Sequence, residues 1–141
     1  MNEQKEKEIT ISDFPVEWQI IVRATQSLIS KAKDGADIDI LRSDYSFVFN
    51  TKRSMLQVVY NKNRSTLEIL WMKYRVNGER EPMFIKTYEI RIEKEEEALE
   101  LISAWYETIL THIKHKSNTS ATFQDFFNLY NIFKEKKETK Q

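Results

Sequence analysis

The strongest constraint on this chain is a change of period in its middle third. From Ile38 to Ile92 the apolar residues recur at every second position, in runs over 45–50, 54–61, 66–76 and 83–92 that are rich in β-branched and aromatic side chains. The intervening segments 51–53, 62–65 and 77–82 are of hairpin length, whereas a parallel crossover needs about a dozen residues or more. The pattern predicts a four-stranded antiparallel meander.

Helical periodicity flanks this region on both sides. Phe14, Trp18, Ile21, Val22, Thr25, Leu28 and Ile29 form one amphipathic stripe, with Ser12 or Asp13 as N-cap, Pro15 in the first turn and Gly35 at the stop. After Ile92, the acids Glu93, Glu95, Glu96 and Glu97 suit the positive end of a second helix, whose stripe is Ala98, Ile102, Trp105, Ile109 and Ile113. The polar run 117–120 then offers turn and cap chemistry for a third helix with Phe123, Phe126, Phe127, Tyr130 and Phe133 on one face. The expected fold is α+β: an N-terminal helix, the meander, and two C-terminal helices on one face of the sheet. Both ends are charged, so the expected division is a tail over 1–8, one domain over 9–134 and a tail over 135–141.

Parity assigns the faces of the last hairpin. With Leu70, Met72, Tyr74 and Val76 inward beside Phe84, Tyr88, Ile90 and Ile92, even positions pair with even, and Lys86 is left awkwardly on the inner face. Ile69, Trp71, Lys73 and Arg75 then share the outer face with Met83, Ile85, Thr87, Glu89 and Arg91.

Charge sharpens the question of what that outer face does. The chain has 22 basic and 22 acidic residues, which excludes whole-chain attraction to a polyanion. Residues 45–92 nevertheless hold nine Lys and Arg against four Glu, a surplus of five, and the flanking segments are acidic or nearly neutral. An outward Trp71 among Lys73, Arg75 and Arg91, with the hairpin cations Lys52, Arg53, Lys62 and Arg64, would stack an unpaired base and hold its phosphates. The competing explanation is that Ile69, Trp71, Met83 and Ile85 are covered by a second copy or by a terminal segment and that the cations are ordinary edge and hairpin charges that block aggregation. Phe127 and Tyr130 on the third helix offer a second interface.

Catalytic chemistry finds few candidates. No cysteine is present, which removes thiolate nucleophiles and thiolate zinc sites. By residue type only His112 and His115 suit proton transfer at neutral pH, and a zinc site would need a further ligand such as Asp125; surface histidines near a helix C-terminus, where positive charge is welcome, are the favoured explanation. Asp34, Asp37, Asp39 and Asp44 lack the glycine placement and closing Glu of an EF-hand. No cofactor and no metal are expected. The sequence therefore points to a non-catalytic binding protein, a regulator, inhibitor or assembly factor with a protein partner or itself. Nucleic acid is the alternative. With no apolar N-terminal run and no segment near the ~18 apolar residues of a membrane span, cytoplasm is the expected compartment and membrane is not an expected partner.

Overall fold

The computed structural model describes residues 8–35, 37–74, 82–116 and 118–138, with backbone alone at 33, 82–84, 119–120 and 135–138. A single 3-10 turn at Ile11–Asp13 precedes α1 (Val16–Lys33); the Thr10 amide donates to the Asp13 carboxylate at 2.8 Å. Ser12 and Asp13 thus belong to this turn, and Pro15 occupies the N-cap of α1. The stripe expected on α1 is the face it buries, from Trp18 through Ile21, Val22, Thr25 and Leu28 to Ile29.

The sheet has five strands, not four. β1 (Asp39–Ser43), β2 (Ser46–Asn50), β3 (Ser54–Asn61), β4 (Thr66–Tyr74) and β5 (Pro82–Arg91) lie in sequence order, each antiparallel to its neighbour. The added strand β1 is exposed along its whole length, so no apolar alternation announces it; backbone pairing to β2 makes it a strand. At the β3–β4 hairpin the Asn61 carboxamide accepts from the amides of Asn63 and Arg64, and Ser65 adopts the left-handed region at φ 53°.

Helix α2 (Glu95–His115) starts on three glutamates, ends on His112, Lys114 and His115, and stops where Lys116 turns left-handed at φ 49°. Asn118 accepts from the Ala121 amide at 2.8 Å and so caps α3 (Thr119–Glu138), which continues four residues past Lys134. The tails expected at the termini otherwise fall largely outside the described residues.

All three helices bury their stripes in one core with the inward side chains of the sheet, Phe47, Phe49, Leu56, Val58, Leu67 and Ile69 among them. Aromatic stacking joins the helices. Trp105 of α2 lies between Trp18 of α1 at 4.9 Å and Phe126 of α3 at 5.1 Å, and its indole N–H donates to the buried Thr25 hydroxyl at 3.2 Å. Thr25 in turn donates to the Ile21 carbonyl, so every polar atom in this stack is satisfied.

Candidate functional site

The faces of the sheet follow from register. Residues directly opposite in an antiparallel pair share a face. Leu56 opposes Trp71 and Val58 opposes Ile69, so the odd positions of β4 join the even positions of β3 beneath the helices. Trp71 is 9% exposed and Ile69 is 2% exposed, which overturns the outward placement expected of both. Lys73 follows them to the helix side, where its ammonium stands 5.1 Å from the centre of the Trp71 ring. Leu70, Met72 and Tyr74 face the other way, opposite to the expected inward placement.

The parity of β5 is the expected one. Tyr88 and Ile90 face the core while Ile85, Thr87, Glu89 and Arg91 are outward and exposed. Odd positions of β4 therefore meet even positions of β5, until a register shift between Lys73 and Tyr74. Lys86, opposite Trp71, is exposed because it sits on the edge strand, so the inner face demands no buried ammonium. Arg75, Val76 and most of the 77–82 connector lie outside the described residues, as do the side chains of Met83 and Phe84.

The hairpin cations are largely committed to acids of the same chain. Arg64 reaches Glu89 at 3.3 Å and Glu68 at 3.9 Å, and Arg91 reaches Glu93 at 3.4 Å. Lys62 lies 3.7 Å from Glu95 and over the Tyr45 ring; the Tyr45 hydroxyl first, then the Glu95 carboxylate, raises its pKa above the usual lysine value. Each exposed pair is weak, yet together they cancel charge that an oligonucleotide would use. Arg53 and Lys52 stand exposed in the β2–β3 turn.

The uncovered sheet face mixes apolar with polar side chains and is not a basic surface. Leu41, 69% exposed, and Ile85, 54% exposed, flank the half-buried Val48, Met55, Val59, Leu70 and Met72. Cross-strand pairing puts Leu41 beside Val48 on β1 and β2, and Met55 beside Met72 beside Ile85 on β3 to β5; between β2 and β3, Val48 opposes Gln57 and Asn50 opposes Met55, so the two apolar groups adjoin only diagonally. A shallow groove of about 520 Å³ runs between Gln57, Val59, Leu70 and Thr87, bordered by Arg64, Glu68 and Glu89. Among the described residues no helix places its apolar stripe here, since those stripes belong to the core on the other side.

The proposed second interface is mostly internal. Phe127 packs edge-on against Phe14, just before α1, at 5.5 Å and Tyr130 against Trp18 of α1 at 5.2 Å, so both serve chiefly to seat α3 on the N-terminal segment. Tyr130 also lines an apolar cleft of about 300 Å³ with Trp18, Ile92, Leu101 and Phe133.

The two histidines have separate environments. His115 is exposed, whereas His112 is 4% exposed and its Nε2–H donates to Asp125 at 2.8 Å, leaving its buried Nδ1 without a hydrogen-bond partner. Among the described residues no group of three or more His, Cys, Asp or Glu side chains is placed to hold a metal ion. The contact instead fastens α3 to the end of α2. Asp125→Ala would strand a buried imidazole with neither nitrogen satisfied, and is expected to cost about 1–3 kcal/mol in urea denaturation. A loss no larger than that of the exposed neighbour Gln124→Ala would refute this role.

Among the described residues no helix is long and apolar enough to cross a membrane. Compared with known proteins, the chain matches no family model, no curated protein and no solved structure.

Proposed function

We propose that this chain acts by binding and not by catalysis, and that its open sheet face docks against the same face of a second copy. The observation that carries this reading is the set of apolar side chains Leu41, Val48, Met55, Leu70, Met72 and Ile85, interspersed with Asn50, Gln57 and Thr87, on the side opposite the helices, with Leu41 and Ile85 exposed. Water against such apolar side chains is costly at roughly 25 cal/mol per Å² of apolar area, and clusters of exposed apolar residues mark contact sites.

Size and charge favour a second copy. Five strands at ~4.8 Å spacing and a strand length of ~27 Å give a footprint of about 600 Å² before side-chain relief, close to the ~800 Å² of accessible surface that each partner gives to a standard interface. Glu68 and Glu89 are paired with Arg64 within the chain, which limits repulsion between two copies, while Asp39 stands at the edge of the face on β1. Two sheets would stack about 10 Å apart as in a β-sandwich. The nucleic-acid reading, by contrast, loses the exposed indole on which it was built.

Light scattering at increasing protein concentration should show the mass rising from the 16.9 kDa monomer to twice that value. The double variant Leu70→Asp, Met72→Asp should remain monomeric with an unchanged far-ultraviolet circular dichroism spectrum. A wild-type protein that stays monomeric at every accessible concentration would overturn the proposal.

A further inference from the structure

We infer that the cavity between the C-terminal end of α1 and the β2–β3 turn binds a small phosphate-bearing compound. The cavity measures about 520 Å³ and is lined by Lys31 of α1, by Thr51, Lys52 and Arg53 of the turn, and by Asp34 and Asp37 of the link that follows α1. Lys73 adds a fourth cation, because β4 places it directly opposite Ser54, next in sequence to Arg53.

These cations differ from those elsewhere on the sheet. Lys62, Arg64 and Arg91 are paired with glutamates, but Lys31, Lys52, Arg53 and Lys73 form no ion pair with any described residue. Their mutual repulsion is felt at Lys31, whose pKa lies below the usual lysine value, first because it is partly buried and then because Lys73 and Arg53 stand near it. A gathered set of cations that outnumbers its acids raises the free energy of the empty site, and binding an anion relieves it.

The turn is built to hold its part of the site. The Thr51 hydroxyl accepts from the amides of Arg53 and Ser54, the Thr51 amide donates to the Ser54 carbonyl at 2.8 Å, and the Tyr74 amide donates to the Arg53 carbonyl at 2.8 Å. Lys73 is steadied over the Trp71 ring. Four cations against two carboxylates leave a net charge of +2, which complements a phosphate monoester carrying about −1.5 to −2 at neutral pH. Arginine supplies the planar fork and the lysines supply point charges, the usual pair of phosphate donors.

The concave, local form of the site selects a small ligand. A nucleic-acid backbone requires a track of available cations, and the nearby hairpin cations Lys62, Arg64 and Arg91 are committed to acids.

Isothermal calorimetry of the full chain with inorganic phosphate and with phenyl phosphate, at constant ionic strength, should give saturable one-to-one binding. Lys31→Gln or Arg53→Gln should weaken it about tenfold or more. Tighter binding of phenyl phosphate would assign the site to an organic monoester, and equal binding to the phosphate group alone; both agree with the inference. Without ligand, Lys31→Gln should melt at a higher temperature than wild type, and phosphate should raise the melting temperature of wild type alone. Should Lys31→Gln fail to fold, Lys52→Gln, an exposed position, serves in its place. Equal stabilisation by chloride at the same ionic strength, or unweakened phosphate binding in the variants, would overturn the inference. So would single-stranded oligonucleotide binding with which phosphate does not compete.

Discussion

Trp105→Ala should lower the stability of this protein by about 3–5 kcal/mol, the range for removing a large buried aromatic ring. Trp105 is 3% exposed and forms the middle layer of a three-ring stack, with one neighbour on α1 and the other on α3. Its removal takes away two ring contacts and the donor to Thr25, and the cavity opens where all three helices converge. For a chain of this length that loss corresponds to a drop in melting temperature of about 10–20 °C. Trp105→Phe, which retains a ring in the stack, should recover much of the difference. Urea denaturation monitored by circular dichroism measures both, and a loss below about 1 kcal/mol for Trp105→Ala would contradict the stacked core.

The second large effect tests the faces of the sheet. Trp71→Ala should cost about 3 kcal/mol, because the indole is enclosed with Leu56 beneath the helices, whereas Met72→Ala, one position on, should cost under about 1.5 kcal/mol in the monomer. The ordering reverses if Trp71 faces out. The same pair of variants separates stability from association, since Met72→Ala should weaken dimerisation while leaving the monomer nearly intact.

Trp71 also shows what the amino-acid sequence makes legible and what it obscures. The three helices were readable because each carries one apolar stripe with polar residues opposite, and the described residues of those stripes are buried or half-buried. Strand β4 carries apolar residues at both parities, with Leu67, Ile69 and Trp71 on one side and Leu70, Met72 and Tyr74 on the other, so alternation alone cannot choose a face.

The deciding signal lay one hairpin earlier. A four-residue connector, 62–65, between Asn61 and Thr66 pairs odd positions with even, and Gln57 and Asn61 mark the odd positions of β3 as the outer set. Leu56, Val58 and Tyr60 then face inward and carry Trp71 with them. Strand β1 was hidden for a different reason, being short, exposed and defined by main-chain pairing alone. The cation cluster could not be seen in a linear reading, since Lys31, Arg53 and Lys73 come from three segments that meet only after the sheet and α1 have packed.

Because every strand pairs with the one before it, the sheet can assemble through short-range encounters as the polypeptide leaves the ribosome. The helices that cover it are made last, and α1, though made first, needs α2 and α3 to complete its contacts. During synthesis the nascent ribbon therefore passes through an interval with both sides wet, when chaperone capture competes with docking of the late helices.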